Sequence, residues 1–352
     1  MNGLELARRF YFEAVRPLLD RDFPHFRHAA ALIGTGSEVL GYDDETSRDH
    51  HWGPRVQLFV RDAALAVAVE DRLSHELPVT FAGYPTNFGE PEEGGSRLLV
   101  AVDEGPVAHR VEVLALSAFM RELLGVDPLE RFSSGDWLLT PTQRLLEVTA
   151  GDVFDDQIGD LTRVRTLLDW YPHDVWLIVM AGHWRRIAQL EHLHGRAGLG
   201  GDELGASLLG AALVRDAMRL GFLQHRRYPP YPKWFGLAYA TLDLPERAAL
   251  EVAQRAVDWR EREQAIVDAC ETIARRHNEL RVTEPVDPTN RAFHGRPIRV
   301  LDGDRFVNAL RAAVAEPVVE HLAGSVDAVT DNTDMLTRPR LWRELGGLYD
   351  RR

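Results

Sequence analysis

The sequence has a single cysteine, Cys270, among its 352 residues. An internal disulfide is therefore excluded, and so few thiols are typical of a protein in a reducing compartment. There is no run of about 18 uncharged apolar residues, so no transmembrane helix is predicted. The N-terminal stretch MNGLELARRFYFEAV carries charges throughout and has no apolar core of signal-peptide length. We therefore expect a cytoplasmic protein with no membrane partner.

Lysine is equally scarce, because Lys233 is the only lysine in the chain and arginine supplies the other basic side chains. The formal net charge is −13. Binding to a long nucleic acid requires many phosphates to be neutralised by Lys and Arg, so this charge argues against such a partner. A mononucleotide needs only one local group of cations and is not excluded. The oligomeric state stays open.

The two halves of the chain have different patterns of apolar residues. The N-terminal part contains stretches with the helical spacing of apolar residues and stretches with the strand spacing. It also has a Gly- and Pro-rich loop at 81–96, whereas the rest of the chain is mainly helical. We predict an α+β fold: an α/β domain with a mixed sheet at 1–130, then a helical domain at 131–352. The predicted strands are 28–33, 55–60, 97–102 and 110–116. The predicted helices are 3–20, 37–40, 62–77, 117–124, 141–149, 173–194, 203–225, 245–280 and 303–322.

Residues 34–37, Gly-Thr-Gly-Ser, join the first predicted strand to a short helix. Such a turn exposes backbone N–H groups to an anion, its glycines allow close approach, and Ser37 adds a hydroxyl. Asp49 follows where the next strand is expected to begin, and Glu112 lies on a later strand. Carboxylates facing an anion-binding turn suit Mg²⁺ that carries the phosphates of a nucleoside triphosphate. A plain turn is the alternative for this motif alone.

Longer stretches resemble a known family. Gly-Ser, a spacer, an acidic strand and a third acid form the signature of the DNA polymerase β-like nucleotidyltransferases. GSEVLGYDDETSRDHHWGPR is similar to the DUF4037 branch of that superfamily. So are the stretches GDWLLTPTQRLLEVTAGDVFDD, YPHDVWLIVMAGHWRRIAQLE, GDELGASLLGAALVRDAMRLGFL and YPPYPKWFG.

The resemblance implies a nucleotidyltransferase-like mixed sheet followed by a helical domain. It places Gly36 and Ser37 at the triphosphate, Asp49 and residue 51 at the metals, and Glu112 as the third acid. Mg²⁺ or Mn²⁺ would be the cofactor and a nucleoside triphosphate, ATP first, the co-substrate. The family is defined by sequence, so it assigns no acceptor.

His51 is where the chain departs from the family pattern, which has aspartate there. Imidazole can bind Mn²⁺ or Zn²⁺ but is a poor ligand for Mg²⁺. Three interpretations stay open: His51 is a ligand in an altered metal site, it is the general base for an acceptor hydroxyl, or transfer activity is lost. His50, on the opposite side of the strand, is expected to be structural.

The helical half offers further candidates. Lys233 opens a predicted helix in an aromatic, proline-rich stretch and would bind the triphosphate; the alternative is a surface lysine packed on Trp234. Arg215 and Arg219 lie four positions apart on one helix face and would add positive charge for phosphate.

Three acids of the helical half, Glu191, Asp202 and Glu203, are candidates for an acceptor-substrate pocket. Helix capping is the alternative for Asp202. His183 lies in an apolar stripe and is expected to be a buried, hydrogen-bonded histidine.

The leading hypothesis is a metal-assisted enzyme that moves a nucleoside monophosphate from an NTP to a hydroxyl, amine or phosphate of a small molecule. One alternative is a degenerate family member that binds a nucleotide or another protein without catalysis. Another is a different metal-dependent reaction in the same cleft, with the histidines and Asp49 as ligands.

Overall fold

A computed structural model describes residues 1–48, 52–92, 95–315 and 324–349. The chain divides into two compact units. The first consists of Met1–Phe132 and Arg144–Asp169, and the second of Ser133–Gln143 and Trp170–Arg352. The domain boundary near residue 130 stays a prediction, and the first unit takes in a later segment as well.

The secondary structure is as follows. The strands are β1 (Ala29–Leu32), β2 (Arg55–Val60), β3 (Thr80–Phe81), β4 (Tyr84–Pro85), β5 (Arg110–Ala115), β6 (Asp152–Asp156), β7 (Arg291–Ala292) and β8 (Arg299–Val300). The helices are α1 (Gly3–Phe10), α2 (Arg16–Asp22), α3 (Ala66–Glu76), α4 (Leu116–Leu124), α5 (Ser134–Leu139), α6 (Thr142–Thr149), α7 (Asp160–Leu168), α8 (His173–Leu199), α9 (Glu203–Gln224), α10 (Pro232–Ala240), α11 (Arg247–Arg255), α12 (Trp259–Glu279), α13 (Asp304–Ala313), α14 (Val326–Val329), α15 (Thr333–Thr337) and α16 (Pro339–Glu344). A π-helical turn joins α1 to α2.

The first unit is built on a four-stranded mixed sheet in the order β5-β2-β1-β6. Both β2 and β6 pair with β1 in the antiparallel sense, whereas β2 and β5 are parallel. The expected α+β class, with a mixed sheet first and a mainly helical remainder, is confirmed.

The two faces of this sheet differ in polarity because successive side chains of a strand point to opposite faces. Val56 and Leu58 of β2 belong to the apolar core that α1, α2 and α3 cover. Arg55 and Gln57 point to the other face, and Gln57 pairs in register with Glu112 of β5. The polar face is the one beside the Gly-Thr-Gly-Ser turn.

Three local predictions need correction. β6 was not expected, because DVFDD contains three acids and too few apolar residues for a strand pattern. The strand expected at 97–102 is wrong: the only ladder contact of this described stretch is a bridge between Phe88 and Leu99. The helix expected at 37–40 is also wrong, because the chain makes a turn that ends at Gly41, whose φ is +76°.

The second unit is mainly helical, with α8 and α9 packed along each other. Asp202 caps α9 by accepting a hydrogen bond from the Gly205 N–H at 2.8 Å. The pattern predicted as one helix at 245–280 divides into α11 and α12, because Asp258 caps a new helix. The helix expected at 303–322 ends at Ala313 within the described residues.

Close packing of aromatic side chains fills the core of the second unit. Trp184 of α8 stacks on Phe306 of α13 with ring centroids 4.4 Å apart. Gly198 leaves room for Trp259, whose ring atoms lie 2.2 Å from where a β-carbon would stand. Across the described ranges, no helix is both long enough and apolar enough to cross a membrane.

Candidate functional site: the glycine turn after the first strand

The turn at residues 34–37 follows β1 after Ile33 and contains two glycines with positive φ. Gly34 and Gly36 have φ values of +87° and +141°, a region that favours glycine. Thr35 is exposed, and Gly36 and Ser37 are half-buried. In the described part of the chain, the N–H groups of these last three residues donate no hydrogen bond. The turn therefore offers free backbone donors at the surface.

A buried ion pair holds this turn from behind. The Arg55 Nε atom donates to Glu38 Oε1 at 2.8 Å, and Arg55 Nη2 lies 2.6 Å from the same oxygen. Both side chains are buried, with 8% and 2% of their surface exposed. Arg55 Nη2 also donates to the Thr35 carbonyl at 2.9 Å. In a trans peptide the C=O and the following N–H point in opposite directions. The Gly36 N–H is therefore turned away from the guanidinium.

Only glycine fits at position 36. A β-carbon there would lie 2.5 Å from Arg55 Nη2 and 2.6 Å from Glu38 Oε2. Both neighbours are fixed by their mutual ion pair and cannot yield cheaply. The predicted importance of Gly36 thus has a structural cause that is independent of any ligand.

Ser37 makes a different contact from the one predicted. Its hydroxyl donates to the Ser47 carbonyl at 3.1 Å, and its own carbonyl accepts from the Tyr42 N–H at 2.8 Å. These bonds close the loop between the turn and the segment before β2. A hydrogen bond from the Ser37 hydroxyl to phosphate stays a prediction. To form it, the hydroxyl must leave the Ser47 carbonyl.

The remaining predicted ligands are only partly described. Asp49, His50 and His51 lie outside the described residues. β2 begins at Arg55, as predicted for the 55–60 strand, and not at Asp49.

Glu112 lies on β5, the later strand predicted for it, and faces the same side of the sheet as Gln57. It is partly exposed, with 37% of its side-chain surface accessible, and forms an ion pair with Arg110 at 2.9 Å. Its register partner Gln57 accepts a hydrogen bond from the Ile33 N–H, one residue before the turn, at 2.9 Å. Gln57 therefore connects the strand that carries Glu112 with the start of the turn. Within residues 1–48, 52–92, 95–315 and 324–349, no group of three His, Cys, Asp or Glu side chains forms a metal site.

Arg55, Glu38 and Gln57 are site residues that the sequence reasoning missed. A signal did exist, because Arg55 and Gln57 interrupt an otherwise apolar strand, RVQLFV, on one face. Charged residues are rarely buried without a partner. The sequence alone does not identify Glu38 as that partner.

The cationic candidates belong to the second unit and each has a partner there. Lys233 is exposed, and its Nζ lies 4.6 Å from the centre of the Trp234 ring, as the alternative interpretation has it. Arg215 pairs with Asp331 at 2.7 Å. Arg219 is mostly buried, 3.9 Å from Asp327, and its guanidinium lies over a phenylalanine ring. Whether any of them binds phosphate stays a prediction.

The acidic candidates in the second unit have separate structural partners. Glu191 is buried and accepts N–H groups of the 301–303 loop at 2.7 Å, 3.2 Å and 3.1 Å. Burial raises its pKa to about 7, although these three hydrogen bonds oppose the shift. Asp202 is the α9 cap described above, and Glu203 accepts from the Trp259 N–H at 3.3 Å. Substrate binding by these three acids stays a prediction.

His183 is a satisfied core histidine, as predicted. Its Nδ1 lies 3.0 Å from Asp216 Oδ1, and Arg186 donates to the same carboxylate at 3.0 Å. Burial lowers the pKa of His183. Burial alone would raise the pKa of Asp216, but His183 and Arg186 hold it below its usual value. Asp216 lies on α9, so this triad joins α8 to α9 through a buried carboxylate.

Comparisons with known proteins give a partial match. The family model "Domain of unknown function (DUF4037)" matches residues 137–235. No curated protein matches the chain. A solved structure that is similar to the chain is that of a nucleotidyltransferase-like protein from Exiguobacterium sibiricum 255-15. It is 12% identical, the match covers 80% of this chain and 82% of the other, and the TM-score is 0.31. The comparisons thus support the DUF4037 resemblance over the segment that begins in α5 and ends in α10.

Proposed function

We propose that the first unit binds the phosphates of a nucleoside triphosphate at the 34–37 turn and that the protein is a nucleotidyltransferase. The observation that carries the proposal is the turn itself: free N–H groups at the surface, held outward by a buried Arg55–Glu38 pair. Backbone donors arranged in this way attract anions. A triphosphate offers several oxygens to such a turn.

The residues that would hold a divalent cation are Asp49, His51 and Glu112. By residue type, two carboxylates and one imidazole suit Mn²⁺ better than Mg²⁺. Glu112 is exposed enough to reach an ion, although Arg110 partly neutralises it. Bound there, the cation would neutralise charge on the α-phosphate.

In the proposed reaction, an acceptor oxygen or nitrogen forms a bond to the α-phosphorus as the bond to the β-bridging oxygen breaks. The 34–37 turn holds the β- and γ-phosphates, which depart as pyrophosphate. In the alternative arrangement, Asp49 and Glu112 alone would hold the cation and His51 would take the acceptor proton, since an ordinary imidazole titrates near neutral pH. Positioning and charge stabilisation supply most of the catalysis in such transfers.

A two-stage experiment tests this proposal. First, thermal unfolding is followed with a non-hydrolysable NTP, the matching nucleoside diphosphate and the nucleoside, each with Mg²⁺ or Mn²⁺. We expect stabilisation in the order triphosphate, diphosphate, nucleoside. Pyrophosphate release is then measured with the hydrolysable NTP and panels of hydroxyl, amine and phosphate acceptors. If no triphosphate stabilises the protein with either metal, the proposal fails.

Nucleotide binding without transfer is the second candidate. Two observations favour it: His51 replaces the expected acid, and the Glu112 carboxylate is paired with Arg110. A protein of this kind would be stabilised by the triphosphate but would release no pyrophosphate with any acceptor.

A further inference from the structure

A separate cavity of about 160 Å³ lies in the first unit at the carboxyl ends of the parallel strands β2 and β5. Its apolar walls are Val60, Leu116, Leu129 and Ile158. Open α/β sheets tend to bind ligands outside the carboxyl ends of parallel strands. An engineered apolar cavity of about 150 Å³ holds benzene, so this space suits a ligand the size of one ring.

The cavity is distinct from the glycine turn. β2 begins at Arg55, which contacts the Thr35 carbonyl of the turn, and ends at Val60, which lines the cavity. The two features therefore lie at opposite ends of the same strand. A ligand in the cavity is not held by the residues proposed to bind the triphosphate.

The charged residues that line the cavity are one arginine, Arg61, and two acids, Asp127 and Asp160. Arg61 binds Asp160 through two hydrogen bonds of 2.7 Å and 3.2 Å, and Asp160 also pairs with Arg163 at 3.4 Å. Asp127 also lines the cavity and is only 8% exposed. It forms no ion pair with any residue that the structure describes. Arg121 acts on it electrostatically but pairs with Glu130 at 2.5 Å.

A mostly buried carboxylate that forms no ion pair favours a cation beside it. Asp127 Oδ1 accepts the Leu129 N–H at 2.9 Å, whereas its second oxygen makes no hydrogen bond within the described ranges. The first turn of α4 lines the cavity at Leu116 and Ser117 and favours an anion. A helix N-terminus is worth about half a positive charge, so the full charge of Asp127 outweighs it.

We propose that this cavity binds a small primary amine with an apolar body. The ammonium group pairs with Asp127, the Ser117 hydroxyl accepts a hydrogen bond from it, and the apolar body lies between Leu129 and Ile158. Pairing gives the second Asp127 oxygen a charge-assisted hydrogen bond, and the aliphatic walls exclude water from the apolar body.

The test compares three compounds of one shape and different charge: benzylamine, benzyl alcohol and benzoate. Isothermal titration of the full chain should show saturable binding of benzylamine, at least tenfold tighter than either of the others. No binding of benzylamine overturns the proposal, as does equal binding of all three, which would indicate an apolar cavity only. Preference for benzoate would assign the site to the α4 N-terminus instead.

Two variants localise the binding. Asp127→Asn keeps an oxygen that can accept the Leu129 N–H while removing the charge, and should weaken benzylamine binding at least tenfold. Glu122→Gln changes an exposed acid of α4 that does not line the cavity, and should bind benzylamine like the wild type. Unchanged binding by Asp127→Asn overturns the proposal. The comparison of the three compounds uses only the wild type, so it stands even if Asp127→Asn misfolds. Nucleotide binding is measured separately, so failure of the amine proposal and failure of the nucleotide proposal can be told apart.

Discussion

The Arg55 Nη2 atom donates to the Thr35 carbonyl at 2.9 Å, and the same guanidinium forms an ion pair with the Glu38 carboxylate. One side chain at the start of β2 thereby fixes the orientation of a peptide group in the turn after β1. The peptide that follows Thr35 presents its N–H away from the protein interior. The proposed phosphate site therefore depends on three connected features: the β1–β2 pair, the buried Arg55–Glu38 ion pair and the glycine turn.

Replacing Gly36 by alanine is predicted to destabilise the protein. The new methyl group would stand 2.5 Å from Arg55 and 2.6 Å from Glu38, at a φ of +141°. We expect a loss of about 2–4 kcal/mol in the free energy of unfolding, from backbone strain and steric overlap together. Gly41→Ala is the matched control, because its φ is also positive but nothing lies within 4 Å. It should cost about 1 kcal/mol in the same urea titration. Equal losses in the two variants would contradict this explanation.

Arg55→Met is predicted to cost about 3–5 kcal/mol, because it leaves the Glu38 carboxylate buried and unpaired. The double variant Arg55→Met with Glu38→Met should lose less than the sum of the two single changes. Arg110→Met is the control on the neighbouring strand, in register with Arg55 but paired with a partly exposed acid. It should cost at most about 1 kcal/mol. Denaturant unfolding of all four variants checks the prediction, and similar losses for Arg55→Met and Arg110→Met would refute it.

His51→Asp is predicted to raise the rate of pyrophosphate release with Mg²⁺. The substitution restores an oxygen ligand and a negative charge at the position where the family pattern has aspartate. We expect an increase of at least tenfold with Mg²⁺ and a smaller one with Mn²⁺, measured by a coupled pyrophosphate assay. Adding Glu112→Gln to the His51→Asp protein should lower its rate of pyrophosphate release. A faster reaction for wild type than for His51→Asp would instead assign His51 a direct part in the chemistry.

Glu191 is predicted to make stability depend on pH in the neutral range. Burial raises its folded-state pKa to about 7 from an ordinary value of 4.5. Its contribution is therefore present below pH 4.5 and is lost as the pH rises through 7. Relative to Glu191→Gln, the wild type should lose about 3 kcal/mol of unfolding free energy across that range. His194 and His277, whose pKa values burial lowers to about 4, act in both proteins and cancel in the comparison. A constant difference between the two proteins would show that Glu191 does not titrate as described.

Much of the first unit could be predicted from local patterns. β1 is an apolar run, β2 and β5 begin with alternating polar and apolar residues, and α4 ends where Gly125 adopts a φ of +76°. β6 could not be predicted in this way because its pairing with β1, rather than its own residues, makes it a strand. The long helices α8 and α9 follow from helical spacing and from the Asp202 cap.

Of the candidate site, only the backbone turn could be predicted from the sequence. Gly36 and Ser37 mark a turn by residue type, but the contacts that shape the turn come from Arg55 and Glu38, 17 positions apart. The polar positions of RVQLFV mark Arg55, but nothing local identifies Glu38 as its partner. In the same way, Arg215 and Arg219 were predicted as one cationic face, whereas their partners come from the C-terminal region. Long-range partners decide what a charged side chain does, and periodicity carries no information about them.

Isothermal titration with a non-hydrolysable ATP analogue and Mn²⁺ is the sharpest test of triphosphate binding at the 34–37 turn. We expect saturable binding to wild type and to Gly41→Ala, and binding at least tenfold weaker to folded Gly36→Ala. No saturable binding of any nucleoside triphosphate to wild type, or equal binding to all three proteins, would contradict it.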